Sequence, residues 1–95
     1  MLEKDMERKV VLEINRIGGR CYKFVSPGNQ GVPDRIVILP EGRVIFVELK
    51  TERGTLTKLQ EIQIARLRMM GVDVRVLCGW EAVKAFIDEV KKNAV

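Results

Sequence analysis

Residues 31–50, GVPDRIVILPEGRVIFVELK, constrain the fold of this 95-residue chain more than any other segment. Two short runs of branched apolar residues flank the Pro-Glu-Gly turn at residues 40–42, a pattern typical of two buried strands joined in a hairpin. Side chains alternate between the faces of a strand, so Glu48 and Lys50 share one face. A hairpin returns the end of its second strand to the start of its first, which places Asp34 beside this pair.

Two carboxylates and an ammonium group at one end of a sheet are costly to bury, even partly, unless a cation or a substrate compensates their charges. A simpler interpretation is that Asp34 caps a turn after Pro33 while Glu48 and Lys50 form a salt bridge at the strand end. That interpretation explains poorly why a second carboxylate lies beside the pair. Carboxylate oxygens are the ligands that hard divalent cations prefer, so the pattern favours a metal site.

The rest of the chain predicts one α/β domain covering residues 1–95. Helices are predicted over residues 2–17, 57–70 and 81–92. Strands are predicted over residues 20–25, 34–39, 44–50 and 72–78. In this αβββαβα order, the third strand, second helix and fourth strand form a β-α-β unit, which predicts a right-handed crossover between parallel strands. The expected architecture is a mixed sheet flanked by helices.

The composition excludes several classes of enzyme. The chain has no histidine, which removes His-activated nucleases, Ser-His and Cys-His hydrolases and almost any zinc site. Cys21 and Cys78 are too far apart for a CxxC pair, and we expect both to be reduced, buried thiols. The net charge of +4 mildly favours a polyanionic partner. No signal peptide or membrane-spanning pattern is found, so we expect no membrane association and a cytoplasmic location.

Pro33-Asp34 followed by Glu48-Leu49-Lys50 resembles the signature of the PD-(D/E)xK nucleases. Other residues resemble one branch of that superfamily, the virus-type replication-repair nuclease (VRR-NUC) domain. Gly31 precedes the Pro-Asp pair, a Gly-x-Leu-Thr-x-x-Gln segment spans Gly54 to Gln60, and Glu7 lies in the opening helix. The resemblance covers about residues 7–79. It implies a three-layer, restriction-endonuclease-like core in a stand-alone protein of viral or prophage type.

The resemblance also implies an activity and the residues that perform it. The activity is hydrolysis of phosphodiester bonds by a DNA endonuclease that depends on Mg²⁺ or Mn²⁺. The implied catalytic residues are Asp34, Glu48, Lys50, Glu7 and Gln60. The implied metal ligands are Asp34, Glu48, Glu7 and the backbone carbonyl of Leu49. Lys50 would orient the attacking water and offset negative charge that develops on the phosphate.

Two of these residues have alternative structural roles. Thr57-x-x-Gln60 is a capping box, whereas the resemblance places Gln60 at the edge of the active site; an amide has two ends, so the roles are compatible. Glu7 lies at the edge of the apolar stripe of the first helix, which favours a position facing the sheet. Compensation of the helix dipole explains Glu3 and Asp5 better than it explains Glu7.

Polar and basic residues around the carboxylates are candidates for contacts with DNA. They are Lys23, Ser26, Asn29, Gln30, Arg35, Arg53 and Lys58. Aromatic residues make up only 5% of the chain, which gives little support for recognition by base stacking. Contacts with the backbone and shape of duplex or branched DNA fit this composition better.

The resemblance implies that short stand-alone members are homodimers that resolve four-way (Holliday) junctions. The alternatives are a flap endonuclease, a restriction-like duplex endonuclease and a non-catalytic DNA-binding domain. The helix over residues 57–70 has two apolar faces: we expect Ile64 and Leu67 to face the sheet and Ile62 and Met69 to face a partner. Alternatively, the terminal helices cover that second face within one chain.

Overall fold

The computed structural model describes residues 1–93, in which three α-helices and four strands follow the predicted αβββαβα order. The helices are α1 (Glu3–Arg16), α2 (Lys58–Met69) and α3 (Trp80–Asn93). The strands are β1 (Arg20–Lys23), β2 (Arg35–Ile38), β3 (Val44–Lys50) and β4 (Val74–Cys78). Each boundary lies within two residues of its predicted position. The predicted fold class, a mixed sheet flanked by helices, is confirmed.

The four strands form one sheet in the order β1-β2-β3-β4. The first two neighbouring pairs are antiparallel, and the β3–β4 pair is parallel, as the β-α-β pattern predicted. β3 therefore lies inside the sheet with a partner on each side. Its end, which carries Glu48 and Lys50, adjoins both the start of β2 and the end of β4.

The two faces of β3 meet different layers of the protein. Ile45, Val47 and Leu49 are fully buried in a core that also contains residues of α1 and α3. The alternate residues point to the opposite face, where the ring of Phe46 packs edge-on against Phe24 with 5.2 Å between centroids. α2 lies over this second face. The sheet is therefore sandwiched between α1 with α3 on one side and α2 on the other.

The two apolar faces of α2 differ in their exposure to solvent. Ile64 is buried and Leu67 is half-buried, as predicted for the sheet side. The interpretation that the terminal helices cover the second face is wrong, because α1 and α3 pack on the other side of the sheet. Ile62 and Met69 remain 39% and 88% exposed.

The two cysteines differ in their burial. Cys21 and Cys78 are both free thiols, but only Cys21 is buried. The expectation of a buried thiol was wrong for Cys78 because this residue ends β4, where the strand leaves the sheet.

Across residues 1–93, no helix combines the length and apolarity required to cross a bilayer.

Candidate active site

The hairpin brings the two predicted carboxylates together at one end of the sheet. Arg35 of β2 pairs with Val47 of β3, so extending this register by one residue puts Asp34 opposite Glu48. Glu48 lies on the face that α2 covers, whereas Asp34 lies at the end of the sheet, within reach of α1. Glu48 is only 4% exposed, and its Oε2 lies 3.7 Å from Nζ of Lys50.

One oxygen of each carboxylate lacks a hydrogen-bond partner. Asp34 Oδ1 and Glu48 Oε1 are both buried, and neither accepts a well-formed hydrogen bond among residues 1–93, although the Asp34 N–H is near enough to favour the charged form of both carboxylates. Most buried polar atoms in folded proteins have such a partner, so two orphaned oxygens at adjacent positions require an explanation. Both oxygens are thus available as ligands for a cation.

The same arrangement makes the carboxylates difficult to ionise. Burial, reinforced by the charge of Asp34, raises the pKa of Glu48 to about 7, although the Lys50 ammonium acts in the opposite direction. Burial and the neighbouring Glu7 raise the pKa of Asp34, and Arg35 partly offsets this effect. The two carboxylates thus lie close together where their negative charges are poorly solvated, an arrangement that is characteristic of functional sites.

The backbone carbonyl of Leu49 lies beside these carboxylates without a partner in the sheet. The next carbonyl, that of Lys50, accepts a hydrogen bond of 2.9 Å from Gly79 N beyond β4. Successive carbonyls of a strand point to opposite edges, so the carbonyl of Leu49 points toward the β2 side. There the extended register places Pro33, which has no N–H to donate. Within residues 1–93, the extended register therefore gives this carbonyl no donor on β2, at the position where the resemblance implied a ligand.

α1 brings two further carboxylates to Asp34. Oxygens of Glu3, Glu7 and Asp34 all lie within 4.8 Å of one another. Glu7 therefore reaches the site, as the helical wheel indicated. Glu3 is a residue that sequence reasoning missed, because its place in the first turn was attributed to the helix dipole. Its spacing of four residues from Glu7 puts both on one helix face and could have identified it.

Arg35 is less available for DNA than predicted. Its Nη2 donates a hydrogen bond of 2.9 Å to Glu7 Oε2, and its side chain is only 17% exposed. The guanidinium therefore positions Glu7 and partly compensates the acidic cluster. Arg35 lies on the face of the sheet that α1 covers, so its side chain contacts α1 instead of extending into solvent.

Gln60 performs the capping role and also reaches Glu48. The backbone N–H of Gln60 donates to Thr57 Oγ1 at 3.2 Å, while its side-chain Oε1 accepts from the backbone N–H of Thr57 at 2.9 Å. These two hydrogen bonds complete the capping box. Gln60 Nε2 donates to Glu48 Oε2 at 3.3 Å. The two ends of the side-chain amide thus link the start of α2 to the buried carboxylate.

Gly31 allows the loop before Asp34 to pack directly on the first turn of α2. Gly31 has φ of +91°, and a Cβ atom placed there would lie 2.6 Å from the carbonyl carbon of Leu59 and 2.9 Å from Gln60 N. These are backbone atoms, so a side chain at this position would displace α2. Gln30 makes a second contact, because its carbonyl accepts a hydrogen bond of 3.4 Å from Gln63 Nε2.

Replacing Gly31 should therefore separate Gln60 from Glu48. We expect Gly31→Ala to lower cleavage at limiting Mg²⁺ by about tenfold, equivalent to one hydrogen bond to a charged group. Gly28→Ala is the matched control, because Gly28 has φ of +83° in the same loop but no atom within 4 Å of the added Cβ. Cleavage assays and thermal unfolding of both variants would check this. Equal loss of activity in both would contradict the positioning role.

The remaining candidates for DNA contact surround the carboxylates at the surface. Asn29 Nδ2 donates to Ser26 Oγ at 3.0 Å, and Gln30 contacts α2, so these three residues belong to one ordered loop. Lys23, Arg53 and Lys58 are exposed, and none forms a salt bridge within residues 1–93. Their roles in DNA binding remain predictions.

Known proteins resemble both the sequence and the fold. The VRR-NUC domain family matches residues 3–80. Over 75 residues, the chain is 49% identical to the "Putative nuclease p44" of Acyrthosiphon pisum secondary endosymbiont phage 1, covering 79% of this chain and 81% of that protein. A solved structure of a VRR-NUC domain matches with a TM-score of 0.84 and 30% identity, covering 90% of this chain and 94% of that one. This chain therefore belongs to the VRR-NUC family and is a nuclease.

Proposed function

We propose that this protein is an Mg²⁺-dependent endonuclease that cuts four-way DNA junctions as a symmetric dimer. The observation that carries the proposal is the pair of buried oxygens, Asp34 Oδ1 and Glu48 Oε1, that have no hydrogen-bond partner among residues 1–93. Family membership supports DNA as the substrate. The surface of α2 supports the dimer.

The chemistry of the donors fits a hard divalent cation. Asp34, Glu48 and the carbonyl of Leu49 would hold it through oxygen atoms, with Glu7 and Glu3 close by. Mg²⁺ prefers such oxygen ligands and needs only one or two protein carboxylates, and Mn²⁺ accepts the same set. The bound cation would supply positive charge to the phosphate and lower the pKa of a water molecule.

The chain's own groups would then orient the reactants. Gln60 Nε2 and Lys50 Nζ both approach Oε2 of Glu48, at 3.3 and 3.7 Å, which leaves Oε1 for the cation. The side chain of Lys50 is 18% exposed, so its ammonium can meet a phosphate at the mouth of the site. There it would stabilise the negative charge that develops on the phosphate oxygens in the transition state.

The dimer would form through the exposed apolar side of α2. Leu59, Ile62, Met69 and Met70 on this helix are between 39% and 88% exposed. Burying such residues against a second copy removes apolar surface from water. A two-fold dimer presents two equivalent sites, and resolution of a four-way junction requires two symmetric cuts. The first turn of α2 also carries Gln60, so the interface and the site share one rigid element.

A panel of DNA substrates tests this proposal. We expect paired nicks in a four-way junction with Mg²⁺, leaving 5′-phosphate and 3′-hydroxyl ends, much weaker cleavage of flap and plain duplex, and no cleavage in EDTA. Light scattering should give the mass of a dimer. A monomer mass that stays unchanged on addition of junction, with preferred cleavage of flaps, would contradict the junction assignment. Equal cleavage in EDTA would contradict the metal site.

A further inference from the structure

A groove beside the acidic cluster plays no part in the site described so far. Its volume is about 350 Å³, and it is lined by one stripe of α1 and by the ion pair between Glu7 and Arg35. The stripe consists of Lys4, Arg8, Val11, Leu12 and Asn15. Apart from the adjacent residues Val11 and Leu12, successive positions are three or four residues apart, so their side chains succeed one another along one side of the helix.

The two halves of this groove differ in chemistry. Lys4 and Arg8 make its first half cationic, whereas Val11 and Leu12 make the second half apolar. Leu12 is 45% exposed, so this apolar surface is open to a ligand. An occupant that matches both halves carries an anionic group next to a flat or apolar one.

The cations in the first half have no salt-bridge partner among the residues that the structure describes. Glu7 is already engaged by Arg35 at 2.9 Å, so these two charges offset each other. Lys4 and Arg8 form no salt bridge within residues 1–93. The groove therefore carries two positive charges that are available to an anion.

Glu7 connects the groove to the acidic cluster. Its carboxylate lies within 4.8 Å of a carboxylate oxygen of Asp34, and the same side chain lines the groove. A ligand in the groove would thus lie next to a phosphate bound through the cation that Asp34 and Glu48 would hold. DNA has one phosphate for every nucleotide, so the neighbouring nucleotide of the same strand is the group that can occupy this position.

We propose that the α1 groove binds one nucleotide of the substrate strand, adjacent to the nucleotide that is cut. Its phosphate would contact Lys4 and Arg8, and its sugar or base would pack on Val11 and Leu12. The volume falls at the lower end of the range for small-ligand sites, about 300–1,000 Å³. The inference rests on the proposed nuclease function for its ligand, but the groove itself can be tested without cleavage.

The test is a titration of the ¹⁵N-labelled protein with thymidine 5′-monophosphate in EDTA, followed by NMR. We expect the amide signals of Arg8, Leu12 and Asn15 to shift, and inorganic phosphate to give weaker shifts confined to the cationic half. The Lys4→Ala/Arg8→Ala double variant should raise the Kd about tenfold, because two charge-assisted contacts are lost. Arg66→Ala/Lys92→Ala removes the same two residue types from exposed positions elsewhere and should leave the Kd unchanged.

Substitution of the apolar half separates a nucleotide site from a simple anion site. Leu12→Ser should weaken binding of thymidine monophosphate without affecting binding of phosphate. Equal shifts and equal Kd values for phosphate and thymidine monophosphate would mean an adventitious ion only and would overturn the proposal, as would the absence of shifts in the groove. Because EDTA removes divalent metal, these outcomes do not depend on whether the protein cuts junctions, which the substrate panel tests separately.

Discussion

Asp34→Asn and Glu48→Gln should each lower the rate of Mg²⁺-dependent junction cleavage by about 10³-fold or more. Each substitution keeps the shape of the side chain but removes a charged oxygen donor, and metal catalysis typically supplies several kcal/mol of transition-state stabilisation. At 1.36 kcal/mol per tenfold change in rate, that loss accounts for the expected effect. Lys50→Ala should lower the rate by about 10²–10³-fold, as removal of one electrostatic donor does in other active sites.

Single-turnover cleavage of a four-way junction would measure these rates, and circular dichroism and anisotropy would check fold and DNA binding. Glu61→Gln is a matched control, because Glu61 lies one residue beyond Gln60 in α2 but is exposed. We expect this control to cleave normally. Substantial Mg²⁺-dependent cleavage by the Glu48→Gln protein would refute the assignment of Glu48 as a metal ligand.

The second large effect concerns stability in the absence of metal. Burial raises the pKa of Glu48 to about 7 in the folded protein, from 4.5 for an unperturbed glutamate side chain. Between these two values the folded state holds a proton that the unfolded state has released, so raising the pH favours unfolding. At 1.36 kcal/mol per pKa unit, we expect Glu48 to lower the free energy of unfolding by about 3 kcal/mol between pH 4.5 and pH 8.

Urea unfolding in EDTA at pH 5 and pH 8 would measure this effect. Glu48→Gln should be close in stability to the original protein at pH 5, where the folded state still holds the proton on Glu48, and should be clearly more stable at pH 8. Glu13, Asp73 and Glu89 have lowered pKa values and act in the opposite direction, but both proteins contain them, so their contributions cancel in the difference. Added Mg²⁺ should stabilise the original protein more at pH 8 than at pH 5. Parallel pH dependence of the two proteins would contradict this account.

The parts of the site that the sequence predicted are those that depend on local geometry. Strand β3 was predicted with its observed bounds, because a run of branched apolar residues lies between a Pro-Glu-Gly turn and a charged end. The proximity of Asp34 to Glu48 follows from the hairpin register, which a short connection determines. The dual role of Gln60 was likewise accessible, since the capping box lies within four consecutive residues.

Features that depend on packing between distant segments were not predicted. The spacing of Glu3 and Glu7 shows that they share a helix face, but which surface that face meets depends on how α1 packs against the sheet and α3. The engagement of Arg35 by Glu7 joins residues 28 positions apart and follows from the same packing. For α2, periodicity revealed two apolar faces, and only the placement of the terminal helices showed which one is left exposed.

Leu49, which lies opposite Pro33 in the extended register, has one role through its side chain and another through its main chain. The Leu49 side chain is fully buried in the core, while its carbonyl lies in the plane of the sheet and points toward the β2 side. Other apolar side chains at position 49 would therefore alter packing and stability while leaving that carbonyl in place. Position 33 behaves in the opposite way. A residue with an N–H at position 33 could donate a hydrogen bond to that carbonyl and extend the antiparallel ladder by one rung, so the proline keeps the carbonyl available for the proposed metal site.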